Sequence, residues 1–347
     1  MSDARSAGLQ LRAASRDLAE TRERLRGWIS ARLADEASVI LSELQAPAGT
    51  GVANETLMFD AEWQRAGQVH RGRYVLRLDA PQSMYLDPCF EDHYRVLEAL
   101  QDLDGVPIPR VHGFEADTSV LGSAFYLMQR IDGRVPSDLP PYNATGFLAE
   151  ASPAQRHALW SDAVRVLGRL HRIDVARVRF LDQPHHGATG VEQLLNYTIA
   201  SYRWASQGRE QPILEAAAAW LGKHQPAQTI TGFAWGDARI ANMIFRDARC
   251  VAVLDWDLMS LGGPLSDLGW WLLLDHANSV GFGLPRLEGL GGADETIELW
   301  EEASGMRADH LDYFVVLAAF RMAVNIMGLS HLLKEQGKLP ADTFELE

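Results

Sequence analysis

Apolar positions along the chain mix helical and strand spacing in its first part and are mostly helical in its second. Residues 8–34 set Leu11, Leu18, Leu25, Ile29 and Leu33 among many charges, the spacing of an amphipathic helix. Short runs that read as strands follow at Val39 to Leu44, Glu55 to Trp63 and Arg73 to Asp79. In the last run, alternation puts Tyr74, Leu76 and Leu78 on one face and Val75 and Arg77 on the other. Residues 89–102 return to helical spacing through Tyr94, Leu97 and Leu100, and two more strands are expected at Arg110 to Glu115 and Ala124 to Gln129. Gly and Pro interrupt the pattern at Arg130-Ile-Asp-Gly-Arg-Val-Pro136.

Beyond that break, helical spacing dominates. Ser152 reads as an N-cap and Pro153 as the first helical residue of a segment reaching about His171. Further helices are expected near 191–206, 212–224, 264–277, 295–304 and 309–335. Strands gathered with one helix, and then many helices, predict an α+β protein. Its expected organisation is a small sheet-rich lobe over residues 1–131 and a larger helical lobe over 132–347, with a nucleotide-sized cleft between them.

One stretch of the helical half breaks the pattern. Asn242-Met-Ile-Phe245 and Cys250-Val-Ala-Val-Leu254 flank the turn Arg246-Asp-Ala-Arg249 and predict a hairpin. Before it stands Trp235-Gly-Asp-Ala-Arg-Ile-Ala-Asn242, and after it Leu254-Asp-Trp-Asp257. Asp237 precedes Asn242 by five residues and Asp255 by eighteen. A hairpin returns on itself, so the two polar clusters are expected at one mouth. A carboxylate to orient an attacking hydroxyl, beside an Asn oxygen and another carboxylate to hold Mg²⁺, is what metal-assisted phosphoryl transfer requires. Chemistry alone does not choose between Asp255 and Asp257 as the second metal ligand.

Composition narrows the classes. The net charge of −14 argues against general nucleic-acid binding. Two cysteines, Cys89 and Cys250, exclude a disulfide framework and a thiolate zinc site. The N-terminus lacks an apolar signal core and the apolar runs are short for a bilayer, so a cytoplasmic location and no membrane partner are the expectation. His185-His186 lies in a Pro/Gly loop without metal-ligand spacing, and His171 reads as a packed core histidine.

An Asp, a basic residue two positions on, an Asn five on and a later metal-binding Asp follow the order of kinase active sites. With Trp-Gly-Asp237, Leu-Asp-Trp-Asp257 and Gly263-Pro-Leu-Ser-Asp-Leu-Gly-Trp270, the chain resembles the aminoglycoside phosphotransferase and choline-kinase-like family. Within that family it is similar to the kinase-like domains found with acyl-CoA dehydrogenases, from about residue 25 to about residue 335. The resemblance implies a protein-kinase-like, two-lobed fold and an ATP- and Mg²⁺-dependent kinase acting on the hydroxyl of a small molecule. Asp237 would orient that hydroxyl, Arg239 would offset phosphate charge, and Asn242 with Asp255 would hold Mg²⁺.

The resemblance also assigns the nucleotide side. Gly49, Thr50 and Gly51 would lay backbone N–H groups over phosphates, with Asn54 at the far side of that turn. Arg77 takes the strand position where kinases carry a phosphate-pairing Lys, and Gln129 and Ile131 fall in the stretch that would read the adenine edge. The helix Glu that pairs with that Lys falls on His93, leaving Glu91 or Glu98 as substitutes. Trp235 stands where the family has His, as a packed support for the loop, and Asp267 matches an Asp that holds the loop backbone. Aromatic residues at 191–224 and 309–335, with few acids, favour a partly apolar acceptor such as a hydroxyacyl thioester of coenzyme A. Two alternatives stand beside this: an aminoglycoside or other antibiotic O-phosphotransferase, and an inactive nucleotide-binding pseudokinase.

Overall fold

The computed structural model describes residues 16–33, 39–47, 54–65, 67–227 and 229–340. Its elements open with α1 (Leu18–Leu33), β1 (Ile40–Leu41), β2 (Glu55–Arg65), β3 (Gln68–Leu78), α2 (Phe90–Leu100), β4 (Val111–Glu115), α3 (Thr118–Leu121) and β5 (Phe125–Gln129). The strands form one antiparallel sheet in the order β1-β2-β3-β5-β4. Tyr74, Leu76 and Leu78 share a core with Leu57, Phe59, Phe125, Leu127 and, from α1, Leu25, Trp28 and Ile29. The β2–β3 hairpin runs past the predicted strands because its ladder continues into solvent, where Arg71 and Glu62 pair across it. β1 keeps only two of the residues expected of it, since Ser42 and Gln45 meet the neighbouring strand as isolated contacts.

Contacts divide the chain into two compact units, residues 1–83 with 109–130, and 84–108 with 131–347. The sequence division places all of residues 84–108 with the sheet, whereas their contacts group them with the helices. The cause is the face that α2 buries: Phe90, His93, Val96, Leu97 and Leu100. His93 pairs with Asp257 at 3.2 Å, Arg95 stacks 3.8 Å over the Phe180 ring, and the N–H of Val253 donates to the carbonyl of Pro107.

The second unit continues with α4 (Gly146–Glu150), α5 (Pro153–Leu170), α6 (Gly190–Ser206), α7 (Pro212–Lys223), β6 (Met243–Arg246), β7 (Arg249–Val253), α8 (Pro264–Ala277), α9 (Ala293–Ser304) and α10 (Leu311–Glu335). Ser152 and Gln155 form a reciprocal capping box at α5, with Pro153 in the first turn. β6 and β7 are the predicted hairpin. α10 corrects one expectation, because it is long and apolar enough to cross a membrane. Much of it is buried here against α6, α7 and α8, and a core helix needs the same composition.

Candidate active site

Two backbone N–H groups fix the loop that carries Asp237. Those of Trp235 and Gly236 donate to the two oxygens of Asp267, at 2.6 and 2.8 Å. Asp267 is fully buried in the first turn of α8, and His171 Nε2 lies 2.9 Å from one of its oxygens. Trp300 donates its indole N–H to His171 Nδ1, which leaves the ring proton on Nε2 to donate to Asp267. Gly236 adopts φ +94°, and a Cβ there would collide with the carbonyl of Leu258, so the position requires glycine.

That clamp presents Asp237 as an acceptor of three donors. Trp270 Nε1 donates to one oxygen at 2.8 Å; Asn242 Nδ2 and Arg239 Nε donate to the other at 2.7 and 2.9 Å. Asp267 and Trp270 lie three residues apart on α8, one helical face gripping both the loop backbone and its carboxylate. Arg239 also meets Asp138 at 2.5 Å. Burial works against the charge of Arg239, but Asp237 and Asp138, with Asp255 beyond them, outweigh it and raise its pKa.

The hairpin returns Asp255 to this mouth. The N–H of Leu254 donates to the carbonyl of Asn242 at 2.9 Å. Trp235 Nε1 donates to the carbonyls of Leu254 and Asp255, which places the indole between the loop and the end of β7. Asp255 itself has φ +61°. The amide nitrogen of Asn242 is engaged by Asp237, and its carbonyl oxygen and the Asp255 carboxylate are the oxygen donors suited to a hard cation. Among the described residues no group of three or more His, Cys, Asp or Glu could hold a metal alone. An ion held by that pair would complete its shell with water and phosphate oxygens, the usual habit of Mg²⁺.

Tyr85 was not anticipated. Burial first, and then the charges of Asp255, Asp257 and Asp237, push its phenol pKa well above the ordinary value, so all three carboxylates act on this one ring. Its segment is held against the helices: Tyr197 donates to the carbonyl of Leu86, and Gly328 on α10 leaves room for the carbonyl of Met84 that a Cβ would fill. Tyr85, Tyr197, Leu194, Leu261, Val324 and Arg321 line a cavity in this unit, and Asp257 borders it. Arg321 interrupts the apolar run of α10, a signal the sequence did offer.

A model of the phosphotransferase enzyme family matches residues 60–305. The chain belongs to that family. As a phosphotransferase it shares 28% identity over 267 residues with acyl-CoA dehydrogenase family member 11 of Homo sapiens, covering 72% of this chain and 32% of the relative. Member 10 of Mus musculus is 29% identical over 279 residues, covering 74% of this chain and 25% of the relative. The chain thus spans a third or less of the length of these relatives. A structure from Ralstonia eutropha, described provisionally as an aminoglycoside phosphotransferase, aligns with a TM-score of 0.67 at 24% identity over 90% of both chains. A macrolide 2'-phosphotransferase from Brachybacterium faecium aligns with a TM-score of 0.55 at 14% identity, covering 91% of this chain and 93% of that one. These likenesses place this phosphotransferase in the protein-kinase-like fold.

Of the other expected residues, Asn54, Arg77 and Gln129 belong to the first unit, whereas Asp237 belongs to the second. Gly49, Thr50 and Gly51 fall outside the described residues, and Asn54 directly precedes β2. Arg77 sits on β3 opposite Thr56, to whose hydroxyl it donates at 2.8 Å. The N–H of Gln129 is taken by the carbonyl of Arg110, and Ile131 is the first residue of the chain's return to the second unit. His93, at the place expected of a helix Glu, binds Asp257.

Proposed function

We propose that this phosphotransferase is a small-molecule kinase that uses Mg²⁺ and ATP and phosphorylates a hydroxyl group. One observation carries the reading: Asp237 is held by Trp270, Asn242 and Arg239, while the backbone bond from Leu254 to Asn242 brings Asp255 to the same place. Phosphoryl transfer passes through a loose transition state, so a fixed carboxylate that orients the hydroxyl matters more than a strong base. Asn242 and Asp255 would hold Mg²⁺, which would supply positive charge against the donor phosphates. Arg239 supplies positive charge beside the reacting group. The solved ternary complex of aminoglycoside phosphotransferase APH(4)-Ia with AMP-PNP and hygromycin B, TM-score 0.52, supports ATP as donor. The nucleotide assignments of Gly49, Thr50, Gly51, Asn54, Arg77, Gln129 and Ile131 rest on family resemblance.

For the acceptor we infer a partly apolar alcohol such as a hydroxyacyl-CoA. Leu194, Leu261 and Val324 on the cavity wall support it, as do relatives named for acyl-CoA chemistry. The dehydrogenase activity in those names is not carried over to this chain. A cytoplasmic location accords with the same reading. Asp237→Asn tests the proposal: phosphoryl transfer from Mg²⁺-ATP should fall by about 10²–10⁴-fold with the melting temperature preserved. Undiminished turnover would refute it, and nucleotide binding without turnover in the wild type would favour a pseudokinase.

A further inference from the structure

Arg321 is a cation with half of its fork unused. It lies on α10 and is only 4% exposed. Its guanidinium stacks 4.8 Å over the Trp270 ring, and its Nη2 donates to the carbonyl of Gly236 at 3.2 Å. Nη1 is buried and finds no hydrogen-bond partner among the described residues. A buried donor left unmade is expensive, the more so when charged, so this one calls for an explanation. Arg321 also lines the cavity bounded by Tyr85, Tyr197 and Asp257.

Its position ties it to the reacting end. Trp270, under the guanidinium, donates to Asp237, and Gly236, whose carbonyl it caps, directly precedes Asp237. The carboxylates of the cavity do not answer it: Asp257 is paired with His93, Asp92 with Arg95, and Asp87 is exposed. A fixed guanidinium is matched by an sp² oxygen, which accepts in the plane of the fork.

We propose that Arg321 is a specificity-determining residue that receives an acyl oxygen, carboxylate or thioester carbonyl, borne by the acceptor near the hydroxyl that Asp237 orients. This rests on the kinase reading above and adds to it what the acceptor must carry. Arg321 is a binding group for the acceptor. It takes no proton in the reaction.

The test uses the full chain with Mg²⁺-ATP and a series of hydroxyhexanoates that vary the hydroxyl position. Each is offered as free acid and as coenzyme A thioester, against hexanediols of matched spacing. In the wild type, kcat/KM for the best acyl alcohol should exceed that of its diol by about 30-fold, and Arg321→Met should collapse that ratio toward one through acceptor KM. A preference for free acid or for thioester identifies the source of the oxygen, and either supports the proposal. Equal use of diol and acyl alcohol by the wild type overturns it while the kinase reading stands, and needs no variant to fold. Equal loss on both acceptors in Arg321→Met, with their ratio kept, also overturns it. Transfer to none of them, with no ATP turnover, defeats the kinase reading itself.

Discussion

The indole N–H of Trp235 donates to the backbone carbonyl of Asp255 at 2.6 Å, so the residue two places before Asp237 steadies the acid at the far end of the hairpin. Asp255 has φ +61°, a conformation that a residue with a Cβ holds only when its surroundings impose it. Trp235 is fully buried and packs at a tilt against Trp256, which leaves the indole little freedom to release the carbonyl.

Trp235→Phe keeps an aromatic ring and removes the donor. We expect kcat to fall by about tenfold and the Mg²⁺ concentration for half-maximal rate to rise, as for the loss of one hydrogen bond. Trp235→His, which restores a ring N–H, should recover part of both. A Mg²⁺ titration at saturating ATP gives the answer; if Phe leaves it unmoved, the indole only fills space.

The proposed cation ligands should separate from Asp237 in their response to metal. Asp255→Asn removes a charged donor and should shift the Mg²⁺ requirement upward by tenfold or more, roughly the effect of losing a charged metal ligand. Asp237→Asn should lower the rate at every Mg²⁺ concentration without that shift. Identical metal dependence in the two variants would contradict the division of roles.

Asp267 should matter to stability before it matters to rate. It is fully buried and accepts from Trp235, Gly236 and His171. Asp267→Ala leaves those donors unpaired, and we expect a loss of about 2–4 kcal/mol in chemical denaturation. A loss below about 0.5 kcal/mol, the range of ordinary surface changes, would show that the clamp is not needed to hold the loop.

The two thiols should behave differently. Cys89 is exposed, whereas burial, with Asp162 beside it, pushes the Cys250 thiol up to about 12. At pH 8 a disulfide reagent should titrate one thiol in the native protein and both after unfolding. Because the folded state keeps the Cys250 proton longer than the unfolded chain, its contribution is whole below the unfolded value. It is lost as pH rises from about 9 toward 12. Melting temperature should decline more steeply over that window in the wild type than in Cys250→Ala.

The spacing of Asp237, Asn242 and Asp255 was readable because a hairpin is a local object, and two strands with a short turn dictate what meets at their open end. The helix start at Ser152 and Pro153 was legible for the same reason, since the signal lies in adjacent residues. Trp270 and Tyr85 were not legible as site residues, and Arg321 showed only as a charge within an apolar run. Each reaches the site from a distant segment, so its place depends on which helix face packs inward and which loop folds down. α2 shows the same limit: its apolar face was plain, but only the packing of His93 and Arg95 tells which unit that face serves.

The segment from Met84 to Pro88 rests on α6 and α10 through Tyr197 and Gly328, whereas Asp237 and Asp255 stand on the loops that flank the β6–β7 hairpin. On the reading proposed above, phosphoryl chemistry and choice of alcohol are written on different stretches of the sequence. A lineage can rewrite the few residues around Tyr85 and inherit a new acceptor while the transfer apparatus passes on untouched.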